Sequence, residues 1–536
     1  MNRARLAALV VLGLAASWLV AVVPAPTLAQ KAGGVLNARL REDLPQGFAL
    51  HETSTISTLW PAMPCLSNLV LFDPLVSTHS ADHLVGELAE RWSWQDGFRS
   101  LVFFLRSGVK WHDGAPFSAK DVKATFDMLR EAPDAPARLR INPRRDWYAN
   151  VESVDAVDPL TVVFKLKRPQ PSLLMMLASG FTPIYAAHVP PASYRTGCVG
   201  TGPFKLKEWR RGEFVEYVKN PSYFAKGRPY LDGLRYTIIA DRSLGQSALQ
   251  VGRVDISFPG DTTKPMADEL KRSSRQLVIT QVGTSVVDHL FVNTKKPPFD
   301  NLKVRQAISQ GIDRRGIIEA VYGGGAALGA AMAPRPYGVW SLPDKDLRAL
   351  HGTNAPAEAK KGARKLLADA GFTETSPLRL KMLTRALPAF ADLSAVIVSE
   401  LKRIGVDVEL AQVESAQWEP LKTRGEFTIG TDRTGIEPDD PDSNFYENYG
   451  CASPRNYARY CDEAIATLID QQSQELDRTR RLALVQDIQR RLEASAIRPV
   501  LVWRLDHFAQ WPHVKNLVPH HSLYSWGRMQ DVWLDK

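Results

Sequence analysis

The stretch at residues 72–122 constrains the fold of this chain more than any other part of the sequence. It contains an apolar strand pattern at residues 101–105, a His-Asp-Gly turn that begins at His112, and then the start of an amphipathic helix. Ser118 and Asp121 have the spacing of a capping box, in which each side chain accepts a hydrogen bond from an open backbone amide. The pattern therefore predicts a compact α/β segment.

A second constraint is the alternation of strand and helix patterns later in the chain. Strand patterns at residues 378–383 and 406–410 flank a helical pattern at 391–404 that ends at Gly405. A β-α-β order favours a parallel or mixed sheet with helices packed against it. A chain of 536 residues is also too long for one hydrophobic core, so we expect about three domains or subdomains. Further strand patterns occur at residues 161–166, 204–209, 214–218 and 234–240.

Four blocks of sequence, in order along the chain, resemble one protein family. They read LAERWSWQDGFRSLVFFLRSGVKWHDGAPFSAKDV, VGTGPFKLKEWRRGEFVEYVKNPSYFAKGRPYLDGLRYTII, GRVDI and FVNTKKPPFDNLKVRQAISQGIDRRGIIEAVYGGG. The blocks are similar to the bacterial extracellular solute-binding proteins of the dipeptide, oligopeptide and nickel class, which are periplasmic receptors of ABC importers. The resemblance implies a binding protein, and not an enzyme, that captures a peptide or similar small solute and delivers it to permease subunits.

The same resemblance implies an α/β fold of two lobes, the periplasmic binding protein fold, with an extra subdomain in the first lobe. We expect lobe I to comprise residues 30–72, 186–281 and 505–536, and lobe II to comprise residues 282–504. Residues 73–185 would form the inserted subdomain. The hinge strands would lie near residues 277–283 and 499–506. A ligand that bridges both lobes binds their closed arrangement best, so closure would follow from binding.

The first 29 residues have the pattern of a cleavable secretory signal. Arg3 and Arg5 precede an uncharged apolar run from Leu6 to Val23, and small residues lead to a cleavage site expected after Ala29. The sequence therefore predicts a periplasmic protein. An uncleaved membrane anchor is the alternative, because an apolar run of roughly 18 residues could just span a bilayer.

The net charge of +9 does not indicate a nucleic-acid-binding protein. Basic residues are interleaved with acidic ones, whereas a nucleic-acid groove needs a dense basic face with stacking aromatic rings. A mild preference for anions in ligand encounter is compatible with this charge. We expect no nucleic-acid partner, and by the resemblance we expect a monomer.

Four cysteines in a secreted chain indicate disulfides. Cys451 and Cys461 are ten residues apart and flank a polar loop, so we expect them to be paired. Cys65 and Cys198 would then pair by default. A metal site is the alternative, but the cysteines lack the clustering that zinc ligands show.

The acidic loop at residues 433–442 is the main candidate for ligand binding. The resemblance places Glu437 where peptide-binding members carry a carboxylate that holds the ligand's ammonium group, a contact of about 1.5–3 kcal/mol. Thr434 stands where those members usually carry Trp, so the loop departs from the peptide-binding pattern. Asp440 is a further candidate. In the alternative interpretation the loop is a solvated acidic turn, in which Asp442 caps the short helix that follows.

Five more residues are candidate ligand contacts. The resemblance places Arg385 near an Arg that grips the ligand's carboxylate, which suits the bidentate geometry of guanidinium. Trp60 and Trp418 could form apolar walls, although buried Trp often belongs to a core. The resemblance also places ligand-contacting backbone at residues 48–60, which adds His51 and Glu52.

No metal, cofactor or catalytic site is predicted. His79 and His83 are four residues apart, but they lie in a polar turn without a third ligand, and the pair His520–His521 is similarly bare. The sequence contains no G-x-S-x-G elbow and no phosphate-binding G-x-x-x-x-G-K-[ST] motif. Two alternatives remain open, a secreted hydrolase that acts on peptides and a sensory solute receptor.

Overall fold

The computed structural model describes residues 30–350 and 355–536. The predicted signal segment, residues 1–29, lies outside the described residues. Within the described part of the chain, none of the helices combines the length and apolarity needed to cross a membrane.

The described residues form strands along the whole chain. In chain order they are β1 (Val35–Leu40), β2 (Val70–Phe72), β3 (Leu84–Gly86), β4 (Ala89–Gln95), β5 (Ser100–Leu105), β6 (Val151–Asp158), β7 (Thr161–Leu166), β8 (Phe204–Arg210), β9 (Phe214–Lys219), β10 (Gly233–Ile238), β11 (Val278–Val292), β12 (Ala326–Ala327), β13 (Leu378–Arg385), β14 (Val406–Val413), β15 (Ile429–Gly435), β16 (Val500–Gln510), β17 (Val514–Lys515) and β18 (Trp533–Leu534).

Helices connect and cover these strands. In chain order they are α1 (Ile56–Ala62), α2 (Ala119–Leu129), α3 (Leu173–Met176), α4 (Arg242–Gln250), α5 (Lys264–Ser273), α6 (Leu302–Gly311), α7 (Arg314–Tyr322), α8 (Asp344–Leu350), α9 (Pro356–Asp369), α10 (Pro388–Lys402), α11 (Ser415–Arg424), α12 (Pro441–Tyr449), α13 (Glu463–Gln474) and α14 (Arg478–Ser495). Short 3-10 turns lie at Leu50–Glu52, Met63–Cys65, Ala81–His83, Arg145–Tyr148 and Pro191–Arg195.

Three larger sheets organise the described chain. The first has the strand order β1-β10-β9-β8, in which β1 is parallel to β10. The second, β4-β5-β7-β6, is antiparallel throughout and packs against α2. The third has six strands in the order β12-β16-β11-β15-β13-β14. It is mixed, as predicted, because β13 is parallel to β14 and β15 while β11 is antiparallel to both of its neighbours.

Separate hydrophobic cores underlie these sheets. One core joins residues of β1 to buried residues between 181 and 258 and to the C-terminal tail at residues 508–534. A second is built from buried residues between 69 and 186. Two others draw on residues 290–502 and 331–497. The boundaries of the lobes and of the inserted subdomain stay a prediction.

The two longest strands, β11 and β16, belong to the third sheet. β11 pairs with the C-terminal half of β16 up to Gly283 and, after a register shift, with its N-terminal half from Val287, while the second half of β11, from Val286, also pairs with β15. Isolated bridges then join Ile256 to Ala38 of the first sheet and to Gln510 at the end of β16. The two strands therefore connect the two lobes where the hinge was expected, and the hinge role itself stays a prediction.

One predicted helix cap is confirmed and one is wrong. Ser118 and Asp121 form the capping box at the start of α2. Asp313 caps α7, which ends at Gly323 in the left-handed region, with φ of 56°. The expected cap of the helix after the acidic loop is wrong. The helix begins at Pro441 and is capped by Asp440, whose side chain accepts a hydrogen bond from the Asp442 amide at 2.9 Å.

Candidate ligand-binding cleft

A cavity of about 340 Å³ lies between the two lobes. On the first lobe it is lined by residues after β1 (39–42), the start of α1 (54–56), the α4 entry (240–242), the 260–261 turn and two tail residues, Leu523 and Tyr524. On the second lobe it is lined by residues 385–390 and by parts of β11, α11, β15 and β16. The walls therefore come from chain segments far apart in sequence. Sites of this size accept small molecules, since ligand pockets typically span roughly 300–1,000 Å³.

Two of the predicted site residues line this cavity. Arg385 ends β13, and its Nη2 lies 4.0 Å from Glu42 Oε2 on the facing lobe. Its guanidinium carbon also lies 5.8 Å from the centre of the Phe390 ring. Trp418 packs edge-on against Phe291, with ring centres 5.7 Å apart, and donates from Nε1 to Asp432 Oδ1 at 3.2 Å. The structure thus brings Arg385 and Trp418 together in one wall.

Glu437 lies behind the cleft wall and does not line the cavity. Its two carboxylate oxygens accept hydrogen bonds from the hydroxyls of Ser522 and Ser525 in the C-terminal tail. His79 Nδ1 is 3.7 Å from Glu437 Oε1. Burial raises the pKa of Glu437 to about 7, although the two serine hydrogen bonds oppose this shift. Its predicted role as an ammonium partner stays a prediction.

Gly435 occupies the last position of β15, where the chain enters the acidic loop. The Tyr524 side chain packs so closely against it that a Cβ at residue 435 would lie 2.1 Å from the Tyr524 hydroxyl. Glycine is therefore required for the tail to seat against the loop at the cavity edge.

Asp440 is buried and forms a bidentate ion pair with Arg481 of α14. The Arg481 Nη2 and Nη1 atoms lie 2.7 and 2.9 Å from the two carboxylate oxygens. Together with its role as the cap of α12, this pairing commits both oxygens to the fold of the second lobe. Asp440 does not line the cavity.

Trp60, His51 and Glu52 lie within the first lobe and do not line the cavity. Trp60 is fully buried and packs edge-on against Tyr236, with ring centres 5.3 Å apart. His51 Nε2 is 2.8 Å from the Pro183 carbonyl oxygen, and burial lowers its pKa to about 4, so the ring is neutral at pH 7. Glu52 accepts two hydrogen bonds from Arg195, at 2.6 and 2.9 Å.

Sequence reasoning missed most of the charged residues that line the cavity. Arg41 lies 3.7 Å from Glu42, and both follow β1. Arg433 donates to Asp288 Oδ1 at 2.8 Å and to the Ala389 carbonyl at 2.9 Å, which holds it against the α10 entry. Charge at the end of a strand is the signal that could have identified these residues. That signal is common on protein surfaces and so has little specificity.

The structure also joins histidines that the sequence left separate. His79 Nε2 lies 2.9 Å from His520 Nδ1, and the His79 ring stacks on Phe72. Burial lowers the pKa of both rings, to about 4 for His520. The pair is neutral at pH 7 and connects the inserted subdomain to the C-terminal tail.

Both expected cysteine pairs are at disulfide distance. The Cys65 and Cys198 sulfurs are 2.08 Å apart, and the Cys451 and Cys461 sulfurs are 2.00 Å apart. The first bond fastens the turn after α1 to the segment before β8. The second closes the polar loop after α12.

Comparison with known proteins supports the resemblance seen in the sequence. The model of the bacterial extracellular solute-binding proteins, family 5, middle region, matches residues 83–456, which is more than half of the chain. The probable di/tripeptide-binding protein 5 of Pseudomonas aeruginosa (strain UCBPP-PA14) is 28% identical over 497 residues, which cover 88% of this chain and 90% of the relative.

Two solved structures share the fold. The periplasmic binding protein DppA from Helicobacter pylori, in complex with the peptide STSA, matches with a TM-score of 0.80 and 23% identity over 94% of this chain and 99% of DppA. The binding protein AgaA from A. tumefaciens R10, in complex with agropinic acid, matches with a TM-score of 0.79 and 22% identity over 94% of this chain and 99% of AgaA.

These matches define the class of protein. The two-lobe α/β architecture with an interlobe cavity is that of the periplasmic binding proteins, and the predicted fold class is confirmed. The chain belongs to the bacterial extracellular solute-binding proteins, family 5, and is a substrate-binding protein.

Proposed function

We propose that this protein is the receptor of an ABC importer and captures a short peptide or a similar small solute between its lobes. It acts in the periplasm as a monomer, delivers the solute unchanged to permease subunits, and performs no chemistry on it. Arg385 and Trp418 are the predicted site residues that we retain as ligand contacts.

The observation that carries this proposal is a cavity lined by residues of both lobes. A ligand held there contacts the closed arrangement on two sides, whereas in an open arrangement it contacts one side only. Its affinity for the closed state is therefore higher, and binding shifts the population toward closure. The relatives support the solute class, since one is named a probable di/tripeptide-binding protein and one structural neighbour is in complex with a peptide.

A thermal-shift screen of peptides, opines and sugars tests the proposal. A true ligand at a hundredfold excess over its dissociation constant stabilises the protein by about 2.7 kcal/mol. Small-angle scattering of the same samples should show a smaller radius of gyration with the ligand than without it. The proposal fails if no solute stabilises the protein, if a tight ligand leaves the dimensions unchanged, or if the ligand is recovered chemically altered.

Two substitutions test the proposed ligand contacts. Arg385→Gln should weaken the best ligand, because it removes a cation from the cavity wall. Glu437→Ala distinguishes two possibilities. If Glu437 binds a ligand ammonium group, its removal lowers the affinity; if it only lies behind the cavity wall, the affinity does not change. Unchanged affinity in Glu437→Ala removes this residue from the site and leaves the receptor function intact.

A further inference from the structure

The charges that line the cavity are unequal in number. Among the described residues, seven arginines line it, against four carboxylates. The arginines are Arg39, Arg41, Arg242, Arg385, Arg433, Arg455 and Arg504, and the carboxylates are Glu42, Asp241, Asp261 and Asp432. Some of these arginines are neutralised by carboxylates behind the wall, as Arg433 is by Asp288, so the count alone does not identify a ligand.

The four cavity carboxylates are already committed to protein donors. Asp261 accepts from Arg39 Nη1 at 2.5 Å, Asp241 from the Leu244 amide at 2.7 Å, Asp432 from Lys422, and Glu42 from the Ser57 hydroxyl at 2.5 Å. A ligand ammonium would therefore compete with an existing partner at each of them. Glu437, which could have served an ammonium group, is bonded to Ser522 and Ser525 outside the cavity.

In the described part of the chain, at least one arginine of the cavity lining has a buried donor without a protein partner. Arg41 and Arg385 both approach Glu42, at 3.7 and 4.0 Å, and Arg41 Nε also donates to the Ser57 hydroxyl at 3.3 Å. Arg504 donates from Nη2 to the Gly260 carbonyl at 3.0 Å, and its buried Nε has no hydrogen-bond partner among the described residues. A buried cation without full pairing is costly, and an anion that enters the cavity relieves that cost.

The electrostatics of Arg41 agree with this geometry. Burial lowers its pKa, and the nearby positive charges of Arg385 and Arg504 lower it further, against the opposing effect of Glu42 and Asp261. The three guanidinium groups are thus near enough to repel one another. Guanidinium is suited to bidentate binding of carboxylate and similar planar anions.

Apolar surface lies beside these cations. The Phe390 ring is 5.8 Å from the guanidinium carbon of Arg385 and 4.5 Å from that of Arg433, and Trp418 and Leu523 line the same cavity. A ligand with an apolar portion between or beside its acidic groups would fill both kinds of surface.

Resting on the proposed receptor function, we infer that the cleft selects solutes of net negative charge with more than one acidic group, and that a ligand ammonium group is not required. Arg41, Arg385 and Arg504 together form the anion-binding part of the site. Selectivity then arises from the arginine excess, which attracts a diacid and repels a cationic peptide.

Calorimetric titration of the purified protein with four probes tests the inference. Glutamyl-glutamate and N-acetylglutamate each carry at least two carboxylates, and N-acetylglutamate has no ammonium group. Alanyl-alanine is neutral overall, and lysyl-lysine is cationic. We expect both acidic probes to bind at least about tenfold more tightly than alanyl-alanine, with lysyl-lysine weakest. Raising the salt from about 0.05 M to about 0.5 M should weaken the acidic probes and leave alanyl-alanine nearly unchanged, because salt screens charge.

Substitutions locate the effect. Arg504→Gln and Arg41→Gln should each weaken glutamyl-glutamate about tenfold or more while changing alanyl-alanine less than about threefold. Arg272→Gln is the matched control, since Arg272 is exposed on α5 and should change neither. The salt series needs no variant, so it decides the question even if a substituted protein fails to fold.

The inference is overturned if the neutral or the cationic probe binds as tightly as the acidic ones, or if neither acidic probe binds. In either case the receptor function stands as long as another solute in the wider screen stabilises the protein and closes it. Loss of every ligand in that screen would instead contradict the receptor function itself.

Discussion

Replacing Ser172 by alanine is expected to shift this protein toward an open arrangement of its lobes. Ser172 lies in the segment assigned to the inserted subdomain, and its hydroxyl donates to Asp442 at the start of α12 in the second lobe. Gln170 of the same segment donates to Asp442 at 3.2 Å, while Gln472 and Ser473 donate from within the second lobe. The Asp442 carboxylate is fully buried, and its bonds from Ser172 and Gln170 exist only while the two parts are in contact.

The size of the effect follows from the type of bond. A hydrogen bond to a charged group contributes about 1.5–3 kcal/mol net, so loss of the Ser172 hydroxyl should cost about 2 kcal/mol in the closed state alone. That is roughly a 30-fold change in the closed-to-open ratio. If the ligand-free protein is mostly open, the apparent dissociation constant rises by the same factor, because only the closed fraction binds fully.

Calorimetry with the best ligand and small-angle scattering without ligand measure these two quantities. Ser394→Ala is the matched control, since the buried Ser394 hydroxyl bonds to Thr384 and Thr431 inside the second lobe. It should lower stability but leave affinity and dimensions unchanged. The reasoning is refuted if Ser172→Ala binds as tightly as the unmodified protein, or if Ser394→Ala loses the same affinity.

Two further predictions concern stability. Burial raises the pKa of Glu437 to about 7 from 4.5, so its ionised form is disfavoured in the fold. As pH falls from above 7 to about 4.5, the free energy of unfolding should rise by about 3 kcal/mol relative to that of Glu437→Gln. A difference between the two proteins that does not change with pH would contradict this. Replacing both Cys65 and Cys198 by alanine should lower the free energy of unfolding by about 5 kcal/mol, and replacing Cys451 and Cys461 should lower it by about 2.7 kcal/mol. The difference arises because the two disulfides close loops of 133 and 10 residues. Equal losses in denaturant titrations would argue against the chain-entropy account.

Much of the secondary structure could be predicted from local pattern. The β13-α10-β14 unit and the capping box at Ser118 depend on residues close together in sequence, and both formed as expected. The family resemblance supplied the lobe order, which no local pattern contains.

The site was harder to predict because it is assembled from distant segments. Arg41 and Arg385 are 344 residues apart in number yet share Glu42, and only the packing of two lobes brings them together. Position in the chain also did not determine where a side chain points. Glu437 lies in the expected loop, but it turns toward Ser522 and Ser525 of a C-terminal tail that has no periodic pattern.

The acidic loop and the arginines therefore have separate roles. Each carboxylate of the loop bonds away from the cavity: Glu437 to the tail, Asp439 to the Val339 amide at 3.0 Å, Asp440 to Arg481, and Asp442 to Ser172. The loop joins the tail, the second-lobe helices and the inserted subdomain, and it adds no negative charge to the cavity lining. Substitutions in it should change stability or closure while preserving the order of preference among ligands. Substitutions of Arg41 or Arg504 should change that order, which separates the two roles experimentally.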